Sequence, residues 1–380
     1  MGMNALAAAC ATAIFCASSA FAAAPYTVTN GSDSGGGSLR EGLASGASRI
    51  EISPFVARIS VDSPLDYTGT DPLVITGVGQ RIRASGDFNI LQSSNGGNLN
   101  ISNLRFIGVG GFDLNSSGTG KGIFIQVPSE RTGVVRLELK DVDVSAVANH
   151  GIHVSDCTLG DDCGSGGGGG GDGSPASIHV VADRLLIDNA GNGKFDADGM
   201  RIDERADGGI VANINNSEFI NVGADGVEFD EGNDGDVYVD VRNSFFEANG
   251  AYCENAPLDI NEPCIEDDDG ELVRDLDDGF DIDEAGDGNL LGVVSNVMVA
   301  DNLDEGLDFD EEGDGGVNMQ MWRIDAAFNG DEGVKVSSAN DGDVNVSMRR
   351  MNVFGNADDG IQIEAEDGDG QVHVEFRNSI

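Results

Sequence analysis

The chain is written in a two-residue rhythm. In Asp198-Gly-Met-Arg-Ile-Asp-Glu204, apolar Met200 and Ile202 alternate with charged Arg201 and Asp203, the pattern of a strand with one buried face. The pattern returns from Asp225 to Glu231, Asp278 to Glu284, Glu305 to Glu311, Glu332 to Ser338 and Asp359 to Ala365. The glycines in these copies stand at 199, 226, 279, 306, 333 and 360, so four gaps are 27 and one is 53, a repeat plus a 26-residue insertion. Weaker copies begin at Gly122 and Gly151. An Asp-Gly turn follows at 207–208, 234–235, 287–288, 314–315 and 341–342, then a second alternating segment such as Val237 to Val241, then a short third one such as Phe245-Phe246. Three strands and their turns use up the repeat and leave no room for a helix. Such a unit cannot bury its own apolar face, whereas stacked copies can. The pattern therefore predicts an all-β parallel β-helix with coils about 4.8 Å apart. Leucine-rich repeats share the length range, but their Leu/Asn consensus is missing, and propeller blades need about 40 residues. One turn column reads Asn216, Asn243, Asn296, Arg323, Arg350 and Asn378, and is given a structural role.

The opening of the chain bears on the same question. Tyr26-Thr-Val-Thr-Asn30 followed by Asp33-Ser-Gly-Gly-Gly-Ser-Leu-Arg-Glu41 resembles the start of exported right-handed β-helix repeat proteins of the pectate-lyase-like superfamily. Leu73 to Gly79 and Leu99 to Phe106 are similar to the first coils of that family. The resemblance implies a right-handed solenoid, export, and a short capping helix over Ser38 to Leu43. It does not imply one activity, because such folds carry lyases, hydrolases and adhesins alike. The expected organisation is a signal peptide over 1–22 and one solenoid domain over 23–380. Residues 23–60 would form the N-terminal cap and first coil, and loops would be inserted at 155–174 and 251–277.

Leu6 to Ala23 is apolar and small, and Ala20-Phe21-Ala22 is an A-x-A cleavage site. No later stretch has the 18 apolar residues a spanning helix needs, so no transmembrane segment is expected in the mature chain. The expected location is secreted, extracellular or at the cell surface, with the periplasm also open. Four cysteines remain after cleavage, in close pairs: Cys157 with Cys163 and Cys253 with Cys264. In an exported protein these read as two local disulfides.

Charge narrows the function. The formal net charge is −46, which excludes a partner bound through phosphate neutralisation, so no nucleic-acid role is expected. Residues 196–380 carry 49 acids against nine bases, so the acidity is local to the repeats rather than a uniform coat. Stacking the coils aligns His153, Arg201, Glu228, Asp281, Asp308 and Lys335 in one column. Asp203, Asp230, Asp283 and Asp310 fall in the next, with Glu204, Glu231, Glu284 and Glu311 at the turn. Like charges opposite one another on paired strands destabilise a sheet. Either protons or cations must relieve them, and hard divalent ions favour several carboxylate oxygens. The expected ligands of a row of Ca²⁺ ions are Asp203, Glu228, Asp230, Glu231, Asp281, Asp283, Glu284, Asp308, Asp310 and Glu311. The rival reading is a solvated acidic face screened by salt.

Arg201, Lys335 and His153 flank the acidic block and are the candidate proton-transfer groups if the face is catalytic. The repetition of the acids argues for a structural or adhesive protein outside the cell, with a polysaccharide or surface partner. The alternative is a calcium-dependent polysaccharide lyase or glycoside hydrolase on the same face. The chain ends soon after a strand, so self-association through the last coil is a further expectation.

Overall fold

A computed structural model describes residues 24–157, 173–268, 270–339, 341–365 and 368–378. The leader expected over 1–22, and Cys163 with the glycine run after it, lie outside these residues. The described chain is a right-handed parallel β-helix. Ten short strands, among them Ile152–Ser155, Met200–Glu204, Val227–Glu231, Phe280–Glu284, Leu307–Glu311 and Lys335–Ser338, stack into one sheet. A second, 16-stranded sheet folds around the rest of each coil. Every pairing within these two sheets is parallel, in the register the repeat predicts: Met200 beside Val227, Val227 beside Phe280, Phe280 beside Leu307. The helix Leu39–Ala44 covers the first coil, with the Ser38 hydroxyl accepting from the Glu41 amide at 3.2 Å.

Period two builds the core. Met200, Ile202, Val227, Phe229, Phe280, Ile282, Leu307 and Phe309 are wholly buried and join one continuous apolar column. Phe219, Phe246 and Phe280 stack with ring centroids 5.1 and 5.4 Å apart. The repeat glycines permit the close stacking. A Cβ on Gly226 would sit 2.4 Å from the Gly279 carbonyl oxygen, and one on Gly279 would meet that of Gly306 at the same distance. No side chain fits there.

The asparagine turn column is a sharp bend of the large sheet. Asn216, Asn243, Asn296, Arg323, Arg350 and Asn378 all hold φ between 53° and 58°, the left-handed region that asparagine tolerates best among side-chain residues. A second asparagine column, absent from the sequence reading, lies inside. Asn249 donates to Asn302 at 2.9 Å, Asn302 to Asn329 at 3.0 Å, and Asn329 to Asn356 at 2.9 Å.

Between Glu247 and Phe280 the chain leaves the solenoid. It forms the antiparallel hairpin Ile265–Asp268 with Glu271–Arg274, tied at its base by the Cys253–Cys264 disulfide. Cys253, Ala256, Cys264 and Ile265 pack on Leu114 and Phe195 from neighbouring loops. These loops run alongside the ten-stranded sheet.

Asn302→Ala should remove about 1–3 kcal/mol of stability, because it removes the oxygen that accepts from both the backbone and the side-chain amide of buried Asn249. Chemical denaturation of the variant measures it.

Candidate functional site

The acids of the ten-stranded sheet form three columns in strict register. Arg201, Glu228, Asp281 and Asp308 are paired neighbours. So are Asp203, Asp230, Asp283 and Asp310, and so are Glu204, Glu231, Glu284 and Glu311. Lys335 follows Asp308 by one repeat, and Ser337 pairs with Asp310. The N-terminal part of the face is closed to water, while Asp281, Asp283, Asp310 and Lys335 are half-buried. Arg201, Asp203, Glu204, Asp230 and Glu231 are at most 1% exposed.

A fourth column, which the sequence reading did not count, completes the seam. The residue before each repeat glycine from 122 to 333 faces the same strip: Lys121, His150, Asp198, Asp225, Asp278, Glu305 and Glu332. All but Lys121 are buried, and Lys121 is half-buried. The slot was visible in the repeat but reads as turn chemistry. Asp198 accepts from the Asp225 amide at 3.2 Å, and Asp278 from the Glu305 amide at 2.7 Å. One carboxylate oxygen thus ties each coil to the next.

The pre-glycine acids meet acids of the first outer column, or the bend acids Asp196, Asp304 and Asp331, in groups of three, each with ligand atoms within 4.8 Å of one another. They are Asp196–Asp198–Glu228, Asp225–Glu228–Asp281, Asp278–Asp281–Asp308, Asp278–Asp304–Glu305 and Glu305–Asp331–Glu332. Of the ten expected ligands, Glu228, Asp281 and Asp308 fall in these groups. Asp203, Asp230, Asp283, Asp310, Glu231, Glu284 and Glu311 do not.

The second column is largely neutralised by the chain's own bases. Asp203 takes Arg201 at 2.7 Å and His153 Nε2 at 2.5 Å. Asp230 takes Arg201 at 3.0 Å and also Arg205. Asp310 takes Lys335 at 3.3 Å and the Ser337 hydroxyl at 2.7 Å. The glutamate column turns to its own backbone: Glu231 accepts from Asn233 at 3.2 Å and Glu311 from Gly313 at 2.8 Å. Its carboxyl groups stand one coil apart in register, and burial together with one another's charge favours their protonated forms. Burial and the neighbouring Glu204 push Glu231 up to about 11, and burial pushes Glu204 and Glu284 to about 8.

The seam is basic at its ends and acidic in its middle. At the N-terminal end Arg201 contacts Asp203, Glu228, Asp230, Asp196 and Asp198. Burial opposes its charge, but these carboxylates outweigh that and hold the guanidinium charged. His153 lies between Asp203 and Lys121, and His150 Nδ1 lies 3.2 Å from Asp198. Burial, then Lys121, drives His153 down to about 3, so it is neutral. Burial lowers Lys121 to about 8. Lys335 closes the other end, 2.7 Å from Asp308 and 3.5 Å from Glu305. Burial works against its charge too, yet these neighbours raise its pKa.

The middle has no such help. Asp278 and Asp281 contact no basic side chain among the described residues, and burial with neighbouring carboxylates raises both well above the usual carboxylate range. Asp308 Oδ1 finds no hydrogen-bond partner among the described residues. The candidate catalytic residues are therefore split: Arg201 and His153 share one end with Lys121 and His150, and Lys335 stands at the other.

No family model matches this chain, and no curated protein does. Among solved structures, the ORF18 protein of Geobacillus virus E2 aligns over 93% of the chain at 12% identity and a TM-score of 0.54. Full-length tailspike protein 2 of Escherichia coli O157:H7 bacteriophage CAB120 aligns over 82% at 13% identity and 0.47. The alginate lyase of Paenibacillus sp. str. FPU-7 aligns over 92% at 14% identity and 0.46, and there the chain covers 99% of the other protein. The chain spans 61% of ORF18 and 40% of the tailspike. At such identities the ORF18 likeness speaks to the fold alone.

Raised carboxylate pKa values carry a sign. Asp283 rises to about 7 and Glu284 to about 8, both through burial first, against about 4 in the unfolded chain. Between these values the folded chain holds protons the unfolded chain has lost, so stability falls as pH rises. In chelator, the melting temperature should drop from pH 5 to pH 8. Differential scanning calorimetry across that range checks the direction.

Proposed function

We propose that this chain is an exported calcium-binding β-helix, structural or adhesive, that works outside the cytoplasm. Its acidic seam would hold a row of Ca²⁺ ions between coils. The observation that carries this reading is the run of three-carboxylate groups at the coil repeat, with Asp225–Glu228–Asp281 and Asp278–Asp281–Asp308 at its centre. Glu228 and Asp308 are each paired with one base, Arg201 and Lys335, whereas Asp225, Asp278 and Asp281 contact none among the described residues, and when ionised they call for another cation. Carboxylates from two coils with a hard divalent ion between them fit calcium's preference for several oxygens. Export is supported by the apolar leader, its A-x-A site and the resemblance of the opening motif, and it suits a calcium-rich medium.

A second reading rests on the basic end of the seam. Lys121, His150, His153 and Arg201 gather beside Asp198 and Asp203, and Lys121 at about 8 could take up a proton near neutral pH. Such a cluster fits proton abstraction or acid–base cleavage on a polysaccharide whose acidic groups calcium would bridge.

Ca²⁺ should raise the melting midpoint steeply over chelator, by about 2.7 kcal/mol per site at 100 times the dissociation constant, while NaCl should not substitute. Asp281→Asn, which touches both central groups, should lower the number of ions bound in calorimetry and blunt the shift. Equal stabilisation by NaCl would sink the calcium reading. For the second reading, Lys121→Met should abolish depolymerisation of an acidic polysaccharide and leave the calcium shift intact.

A further inference from the structure

The outer surface of the large sheet carries a charge anomaly of the opposite sign. Nine bases serve residues 196–380, and four of them, Arg323, Arg349, Arg350 and Arg377, line one groove of about 650 Å³ together with Trp322. That volume is in the range of small-ligand sites. Register explains the gathering. Trp322 pairs with Arg349 and Arg349 with Arg377, while Arg323 and Arg350 occupy the bend next to them.

Like charges one coil apart destabilise a sheet unless something answers them. One carboxylate does so in part: Glu375 lies 3.8 Å from Arg349 and also contacts Arg377. Arg323 and Arg350 make no ion pair among the described residues. Arg184 shows what an arginine at this bend does when its role is internal, because it is bound at 2.5 and 2.9 Å by Asp141 and also by Asp183. Arg323 and Arg350 hold φ of 58° and 57° where other coils place Asn216, Asn243, Asn296 and Asn378. They accept a less favourable backbone position and gain no protein partner for it.

Trp322 is the chain's one tryptophan and is half-buried at the groove. The Arg242 guanidinium, held by Asp240 at 2.5 Å, lies 5.8 Å from the indole centre. A continuing cavity of about 330 Å³ is lined by Gln320, Asn345, Ser347 and His373, groups suited to hydroxyl partners.

We propose that this groove binds an anionic saccharide. Guanidinium forks take carboxylate or sulfate groups in planar, paired hydrogen bonds, and the indole packs on a sugar ring. A single aromatic does not make the series of stacking platforms that single-stranded nucleic acid uses. A net charge of −46 also repels a densely charged polyanion more than a sparsely charged glycan. The site is independent of the calcium seam, which lies on the other sheet.

Trp322 fluorescence reads the groove directly. The full chain is titrated, in chelator, with a hyaluronan hexasaccharide and an oligogalacturonate hexamer, and with maltohexaose, inorganic sulfate and hexathymidylate for comparison. A saturable emission change with at least one anionic hexasaccharide, and none with maltohexaose, is expected. Arg323→Asn with Arg350→Asn restores the residue used at this bend in other coils, so it should fold and should weaken binding about tenfold or more. Trp322→Ala should do the same by calorimetry. The proposal is overturned if neither anionic sugar gives a saturable change, if sulfate alone binds as tightly, if hexathymidylate binds more tightly, or if the double variant binds unchanged.

Discussion

Carboxylates held at coil spacing in a largely buried strip set the terms for the rest of this molecule. The solenoid fixes the spacing, because its core residues and its acids share the same strands and the same register. Moving one acid away from another would mean breaking the stack that buries Phe229, Phe280 and Phe309. The charges must therefore be answered where they stand.

The chain answers them in three ways along one seam. Neutral carboxyl forms are favoured down the glutamate column, where Glu311 also accepts from a turn amide. Side-chain cations take the two ends, Arg201 with five carboxylates and Lys335 with three. The centre, around Asp278 and Asp281, has neither. The same repeat thus produces three electrostatic environments, decided by which base happens to fall in which coil.

Much of the architecture was legible in the sequence, because period two and a 27-residue spacing are properties of order along the chain. The pairing of Arg201 with Glu228, Asp281 and Asp308 follows from counting. Burial was not legible. Alternation tells which side of a strand a residue takes, not whether a neighbouring loop covers that side, and the loops that flank Asp196 and Asp277 come from segments without repeat signal. The pre-glycine acids stood in every aligned copy, yet an Asp-Gly pair reads as a turn. Lys121 and His150 occupy that slot in the weak copies, where a different residue type hid the equivalence. Arg323 and Arg350 were visible as a departure from asparagine, but only the groove shows what surrounds them.

Each three-carboxylate group draws on two adjacent coils, as Asp225 and Glu228 with Asp281 do. A lone 27-residue unit therefore owns only parts of a site, and completing one takes a second copy beside it. Under the proposed calcium reading, a single ancestral unit would carry no complete ion site, and each tandem duplication would add about one. Lengthening the gene and raising its cation capacity would then be a single heritable event.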